Sequence, residues 1–148
     1  MARRVTDPAE PPAPKARVRL LFSNRSDGGT SVVELHGEFD LGTVPEIDRF
    51  LRRHLGPQYR QNDLVLDLGG TEFADSSFIS FLVALSRDAH AARKELLLAR
   101  PRGQVARVLA LVGVPNVIPV FETVEAALAS LEDGPLPVIP PAFRPGRT

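Results

Sequence analysis

Two hydrophobic periods alternate along this chain and divide it into strands and helices. Val18 to Ser23 and Ser31 to His36 are short apolar-rich runs. Asn24 to Thr30 between them, NRSDGGT, has the Asp and Gly content of a hairpin turn. The period changes after Thr43. Val44, Ile47, Leu51 and Leu55 recur at helical spacing, with Arg49, Arg52 and Arg53 outside that stripe. Thr43 and Glu46 have capping-box spacing, Pro45 falls in the first turn, and Gly56-Pro57 stops the helix. Asp63 to Leu68 is apolar enough to be a strand buried on both faces.

The stretch Leu64 to Leu85, LVLDLGGTEFADSSFISFLVAL, has the layout of a strand feeding a helix. A polar knot, Asp75-Ser76-Ser77, stands where the helix begins, and the helix is expected to run to about Lys94. Glu95 to Ala99 predicts a fourth strand. Pro101 and Gly103 open another helix, with a core stripe of Val105, Val108, Leu109 and Val112 and a stop at Gly113. Val117 to Phe121 predicts a fifth strand, placed at a sheet edge because Pro119 cannot donate a ladder bond. Thr123 caps a last helix through about Leu131. The order β-β-α-β-α-β-α-β-α predicts an α/β fold. It implies an open, mostly parallel five-stranded sheet with right-handed crossovers and one antiparallel N-terminal strand.

Proline placement changes the picture at both ends. Of 14 prolines, four lie in the first 16 residues and five in the last 14, so residues 1–16 and 133–148 read as disordered tails around a single domain at 17–132. The second tail also holds Leu136, Val138, Ile139 and Phe143. The chain has 148 residues, enough for one core without a staple, and no cysteine, so disulfide and thiolate chemistry are excluded. Lys and Arg number 18, as do Asp and Glu, a balance that argues against nucleic acid as a partner. No apolar run approaches the length of a membrane span and the first residues lack a signal's apolar core, so the cytoplasm is the expected location.

The candidate chemistry is sparse. Gly69-Gly70 follows a strand but no Lys-Ser/Thr follows it, so it is not a phosphate-binding loop; it is expected to be a turn that needs positive φ. His36, His54 and His90 lack metal-ligand spacing. Ser76 and Ser77 lack the G-x-S-x-G elbow of a hydrolase. Arg100, Arg102 and Arg107 read as a solvated basic face. Neither a catalytic residue, a metal site nor a cofactor is expected. By spacing alone, Asp75-Ser76-Ser77 is a helix cap.

Three segments nevertheless resemble a STAS domain, the fold of bacterial anti-sigma factor antagonists. Gly37-Glu38-Phe39-Asp40 resembles the family's G-E-[LF]-D. Leu66 to Ser77, LDLGGTEFADSS, resembles L-D-L-x-x-[VL]-x-[FY]-[IM]-D-S-[ST]. Val112-Gly113-Val114 resembles the S-G-L before the last strand. The resemblance spans roughly residues 17–132, and its middle motif is the specific one. It implies a non-enzymatic antagonist that binds an anti-sigma factor with serine kinase activity and thereby frees a sigma factor. In the family the first Ser after Asp is phosphorylated by that partner, which ends binding, and a phosphatase restores it. Here that residue is Ser76, with Ser77 as the fallback acceptor. A helix N-terminus tolerates the added charge, so modification is expected to act on the interface rather than on the fold. Asp75 would orient the serine, and Glu38 and Asp40 would line the same interface. A second reading of the resemblance is a STAS scaffold or accessory subunit that does not switch.

The chain departs from the family at Phe78-Ile79-Ser80, where G-[LI]-G is usual. Phe78 and Phe81 then admit two readings. Either the core face of the helix is wide, or both rings form an exposed patch beside Ser76 that contacts the partner.

Overall fold

The computed structural model describes residues 18–23 and 30–132. The Pro-rich ends and the tip of the predicted hairpin, residues 24–29, lie outside them. The elements are β1 (Val18–Ser23), β2 (Ser31–Phe39), α1 (Val44–Leu55), β3 (Leu64–Asp67), β4 (Thr71–Ala74), α2 (Ser76–Ala91), β5 (Leu96–Ala99), α3 (Gly103–Leu111), β6 (Val120–Phe121) and α4 (Val124–Glu132). Short 3-10 turns at Tyr59–Gln61 and Val114–Asn116 join α1 to β3 and α3 to β6.

The α/β class, the helices and the antiparallel first strand are as the periodicity predicts. The sheet has six strands rather than five, in the order β1-β2-β3-β5-β6, with β4 paired to β2. The extra strand comes from the length of β2. Ser31 to Glu34 pairs in parallel with Leu64 to Asp67 of β3. The chain then crosses Leu68-Gly69-Gly70 and pairs again with the same edge, Gly37 to Phe39 against Thr71 to Ala74. The second ladder is itself irregular, its register shifting between Gly37 and Glu38, and Gly37 stands at φ 116, where a side chain would be strained. Thr71, buried, donates its hydroxyl to the Leu35 carbonyl at 2.7 Å and fixes the second register.

Alternate strand residues feed two cores, as the pleat requires. Val33, Leu35, Leu64, Leu66, Leu96 and Leu98 face α1, α2 and α3 and meet Ile47, Leu51, Phe78, Leu82, Val105 and Leu109. Val32, Val65, Leu97, Ala99 and Phe121 face the other way, onto Val124 and Ala127 of α4. The edge position expected of the Pro119 segment is observed, but the strand is only Val120–Phe121. Val117 and Ile118 close the preceding turn onto the Val114 carbonyl instead, and Val117 is exposed. Val112 is also exposed, so the α3 stripe ends at Leu109. Among the described residues no helix is long and apolar enough to cross a membrane.

Gly69 and Gly70 are not needed for positive φ; among the described residues the positive-φ glycines are Gly37, Gly56, Gly103 and Gly113. They are needed for space. A Cβ on Gly69 would run into the Arg100 guanidinium, and one on Gly70 into the His36 ring. The guanidinium lies there because Arg100 Nε donates to the buried Asp67 carboxylate at 2.8 Å, which also accepts the Gly69 N–H at 2.9 Å. Arg100 therefore belongs to an ion pair, whereas Arg102 and Arg107 are exposed as the solvated-face reading expects.

A second polar set ties α1 to α2. Buried Tyr59 donates to Asp48 at 2.6 Å, and Arg60 pairs with Asp88 at 3.1 Å and Asp48 at 3.5 Å. Burial pushes the Asp48 carboxyl up, but hydrogen bonds from Tyr59 and Arg52 and the charges of Arg52 and Arg60 outweigh it. The carboxyl is held below its ordinary value. A group whose folded pKa is depressed contributes stability above its unfolded pKa and loses it as pH falls through the folded one. Asp48→Asn should thus cost on the order of 1 kcal/mol at neutral pH. That deficit should hold down to about pH 4 and shrink below it, read from urea unfolding of both proteins across pH. A pH-independent deficit would show that the carboxylate charge is not what Asp48 contributes.

Candidate functional site

β4 delivers the chain to the start of α2, and β2 fixes where that happens. Phe39 pairs with Ala74, and the Asp75 N–H donates to the Phe39 carbonyl at 3.2 Å. Asp75 is the N-cap in extended backbone, φ −110 and ψ −172. Its Oδ1 accepts the N–H groups of Ser77 at 2.8 Å and Phe78 at 3.2 Å. The capping role expected of Asp75 is the observed one. Ser76, the first helical residue, is exposed, and Ser77 is half-buried.

The connection from β2 to α1 forms the opposite wall. The sequence pattern puts the cap of α1 on Thr43 with Glu46 as its reciprocal partner. That box does not form, because the Thr43 hydroxyl is engaged elsewhere. It donates to the Glu38 carbonyl at 2.9 Å and accepts the Asp40 N–H at 3.0 Å, and Thr43 is buried. Asp40 serves the turn instead, its Oδ1 accepting the N–H of Gly42 at 2.9 Å and of Thr43 at 3.1 Å. Asp40 is half-buried in this turn, while Glu38 is exposed on the last stretch of β2, opposite Phe73.

Between the walls lies an open groove of about 460 Å³. Leu41, Val44 and Pro45 line one side, and Ser76, Ser77, Ser80 and Phe81 line the other. Leu41 is 77% exposed although it is a leucine in a tight turn. Phe81 is half-buried, and the Arg60 guanidinium lies 5.7 Å from its ring centroid, so the Asp48–Tyr59–Arg60 set props one wall of the groove.

Phe78 requires a correction. It is 0% exposed, stacked on Phe39 with ring centroids 5.4 Å apart, and does not face a partner. The core stripe of α2 is Phe78, Leu82, Leu85, Ser86 and Ala89. The wide-core reading therefore describes Phe78, and of the two rings only Phe81 reaches the groove. Ser76, Ser77 and Phe81 line the groove, Asp75 caps the helix beside them and Asp40 holds the facing turn, whereas Glu38 is not among the residues that line the groove. Sequence reasoning missed Leu41, Val44, Pro45 and Ser80. The available signal was Leu41, an apolar side chain isolated in the polar turn Asp40-Leu41-Gly42-Thr43.

A second open concavity, about 410 Å³, lies at the carboxyl ends of β5 and β6 among Arg100, Pro101, Arg102, Pro115, Val120, Phe121 and Glu122. Among the described residues no group of three His, Cys, Asp or Glu side chains could hold a metal ion.

Removing the Asp75 cap by Asp75→Ala should cost about 1 kcal/mol, within the usual range for N-caps. Phe78→Ala should cost about 3–5 kcal/mol, the penalty of emptying a buried aromatic site. Chemical denaturation of the two variants checks both, and a loss below about 1 kcal/mol for Phe78→Ala would return that ring to the surface.

The family model of the STAS domain matches residues 22–127 of this chain. An anti-sigma factor antagonist from Mycobacterium paratuberculosis is 24% identical, with a TM-score of 0.64 over 82% of this chain and 98% of that one. The anti-sigma factor antagonist SpoIIAA in its unphosphorylated form is 18% identical, with a TM-score of 0.63 over 78% of this chain and 98% of that one. SpoIIAA of Bacillus, a cell fate determinant, in its phosphorylated form is also 18% identical, with a TM-score of 0.58 over 76% of this chain and 99% of that one. At these identities the likeness establishes a shared fold.

Proposed function

Because this chain belongs to the STAS domain family, we propose that it is an anti-sigma factor antagonist. It binds an anti-sigma factor at the groove beside α2 and so frees a sigma factor. Phosphorylation of Ser76 by that partner's serine kinase activity ends the binding, and a serine phosphatase restores it. The observation that supports this most is an exposed serine at the rim of an apolar groove, on a helix start held by its own cap.

The cap bears on how the switch acts. A phosphoserine carries about −1.5 to −2 charge near neutral pH. The Ser77 and Phe78 amides, which could have accepted that charge, already bond the Asp75 carboxylate. A phosphate on Ser76 therefore meets Asp75 as a like charge and stays at the groove. Its desolvation and repulsion fall on the interface rather than on the fold, which rests on Phe78 and the residues below it. A penalty of about 3–4 kcal/mol there is two to three decades of affinity, sufficient to change partners.

Two experiments test the proposal. Incubation with the anti-sigma kinase and Mg-ATP, followed by mass-spectrometric mapping, should place phosphate on Ser76 and none on a Ser76→Ala chain. Absence of phosphate anywhere in residues 75–77 would remove the switch and favour the non-switching scaffold. Leu41→Ser should weaken anti-sigma factor binding about tenfold. It should change stability by less than about 0.5 kcal/mol, as exposed substitutions do. Unchanged affinity would show that the groove is not the interface.

A further inference from the structure

β4 is paired with β2 along one edge, and the sheet places β5 against β3, not against β4. Backbone groups in a strand alternate between its two edges. Asp75 turns its N–H toward β2, so Ala74 turns both N–H and C=O to the outer edge. Ala74 is 1% exposed, and buried backbone groups of this kind need partners. One side chain supplies both. The Ala74 N–H donates to Gln104 Oε1 at 3.0 Å, and Gln104 Nε2 donates to the Ala74 carbonyl at 3.0 Å. A primary carboxamide carries an acceptor and a donor in one plane, so Gln104 pairs with Ala74 as a neighbouring strand would.

The position of Gln104 is itself constrained. It is the second residue of α3, and the way in from β5 passes two residues at positive φ, Arg100 at φ 61 in the connection and Gly103 at φ 56 at the first position of the helix. A non-glycine residue holds that conformation only against a cost. Arg100 is held there by Asp67 through its side chain and by the Phe121 carbonyl through its N–H at 2.9 Å. A line of contacts thus runs from Asp67 through Arg100 and the start of α3 to Ala74, the residue before the cap.

We propose that Gln104 is a positioning residue for the Ser76 site. By holding Ala74 it keeps the Asp75 carboxylate on the Ser77 and Phe78 amides and keeps the Ser76 hydroxyl at the groove. The consequence for phosphorylation rests on the antagonist reading above; the clamp itself does not.

Hydrogen exchange on the full chain separates the two. In Gln104→Met, which keeps the length and removes both polar atoms, the Ala74, Ser77 and Phe78 amides should exchange on the order of tenfold faster. Leu66, Leu97 and Leu98 in the sheet should keep their protection. Gln104→Glu is the second variant, should the first not fold: at neutral pH its carboxylate still accepts the Ala74 N–H but opposes the Ala74 carbonyl, and should loosen the Ser77 and Phe78 amides. Unchanged exchange at Ala74 to Phe78, or a rise shared equally by the sheet, overturns the proposal. In the kinase assay, Gln104→Met should lower kcat/KM for Ser76 by about tenfold, a change equivalent to 1.4 kcal/mol. If the parent chain is not phosphorylated at all, the antagonist reading fails and the exchange data alone decide the clamp.

Discussion

One edge of β2 carries two parallel partners in succession, and the rest of the molecule is arranged around that. β3 takes the first four residues of the edge and β4 the last three, of which the first is a glycine at positive φ. Because β4 continues the ladder rather than looping off it, the chain enters α2 with its cap already bonded to β2. The same upper part of β2 leads directly into the turn that holds Leu41. Both walls of the groove are therefore referenced to one strand through backbone hydrogen bonds, to which the side chains of Asp40, Thr43 and Gln104 add. Functional groups placed on such a frame keep their geometry when a partner or a charge arrives.

The fold and the site are separated within a single helical turn. Phe78, two residues after Ser76, lies at 0% exposure in the core, while Ser76 itself is exposed. Asp75 takes up the first amides of the helix, so neither the helix nor the core needs anything from the serine hydroxyl. This is the physical condition for a modification that alters recognition without altering structure. Phe78 in place of the family's glycine adds to the core under the site without blocking access to it, because its ring packs down onto Phe39.

Much of this was legible in the sequence because the elements follow their hydrophobic periods. The helical stripe Ile47–Leu51, the fully buried runs at Leu64–Asp67 and Leu96–Ala99, and the edge position of the Pro119 segment all emerge from local pattern. β4 did not, since Thr71-Glu72-Phe73-Ala74 is short, lacks alternation and is a strand only because β2 has spare edge to pair with. Thr43 is the N-cap as its spacing predicts, but the capping box with Glu46 does not form, for a related reason: the Thr43 hydroxyl is claimed by the Glu38 carbonyl, a contact that no spacing rule weighs. Gly69 and Gly70 answer to Arg100 and His36, distant in sequence, rather than to their own φ. Gln104 acts on Ala74 from 30 residues away, and nothing in its neighbourhood marks it. Long-range pairing and close approach are what local pattern cannot supply.

The central claim is that charge at Ser76 gates a protein interface while leaving the domain intact. Its most direct test is calorimetric titration of the anti-sigma factor with the unmodified and the Ser76-phosphorylated chain, with a thermal melt of each form beside it. The account predicts an affinity lower by about two to three decades for the phosphorylated chain. It also predicts melting temperatures within about 3 °C of each other, the shift expected from less than 1 kcal/mol in a domain of this size. Equal affinities would contradict it, and so would a loss of affinity accompanied by unfolding of the domain.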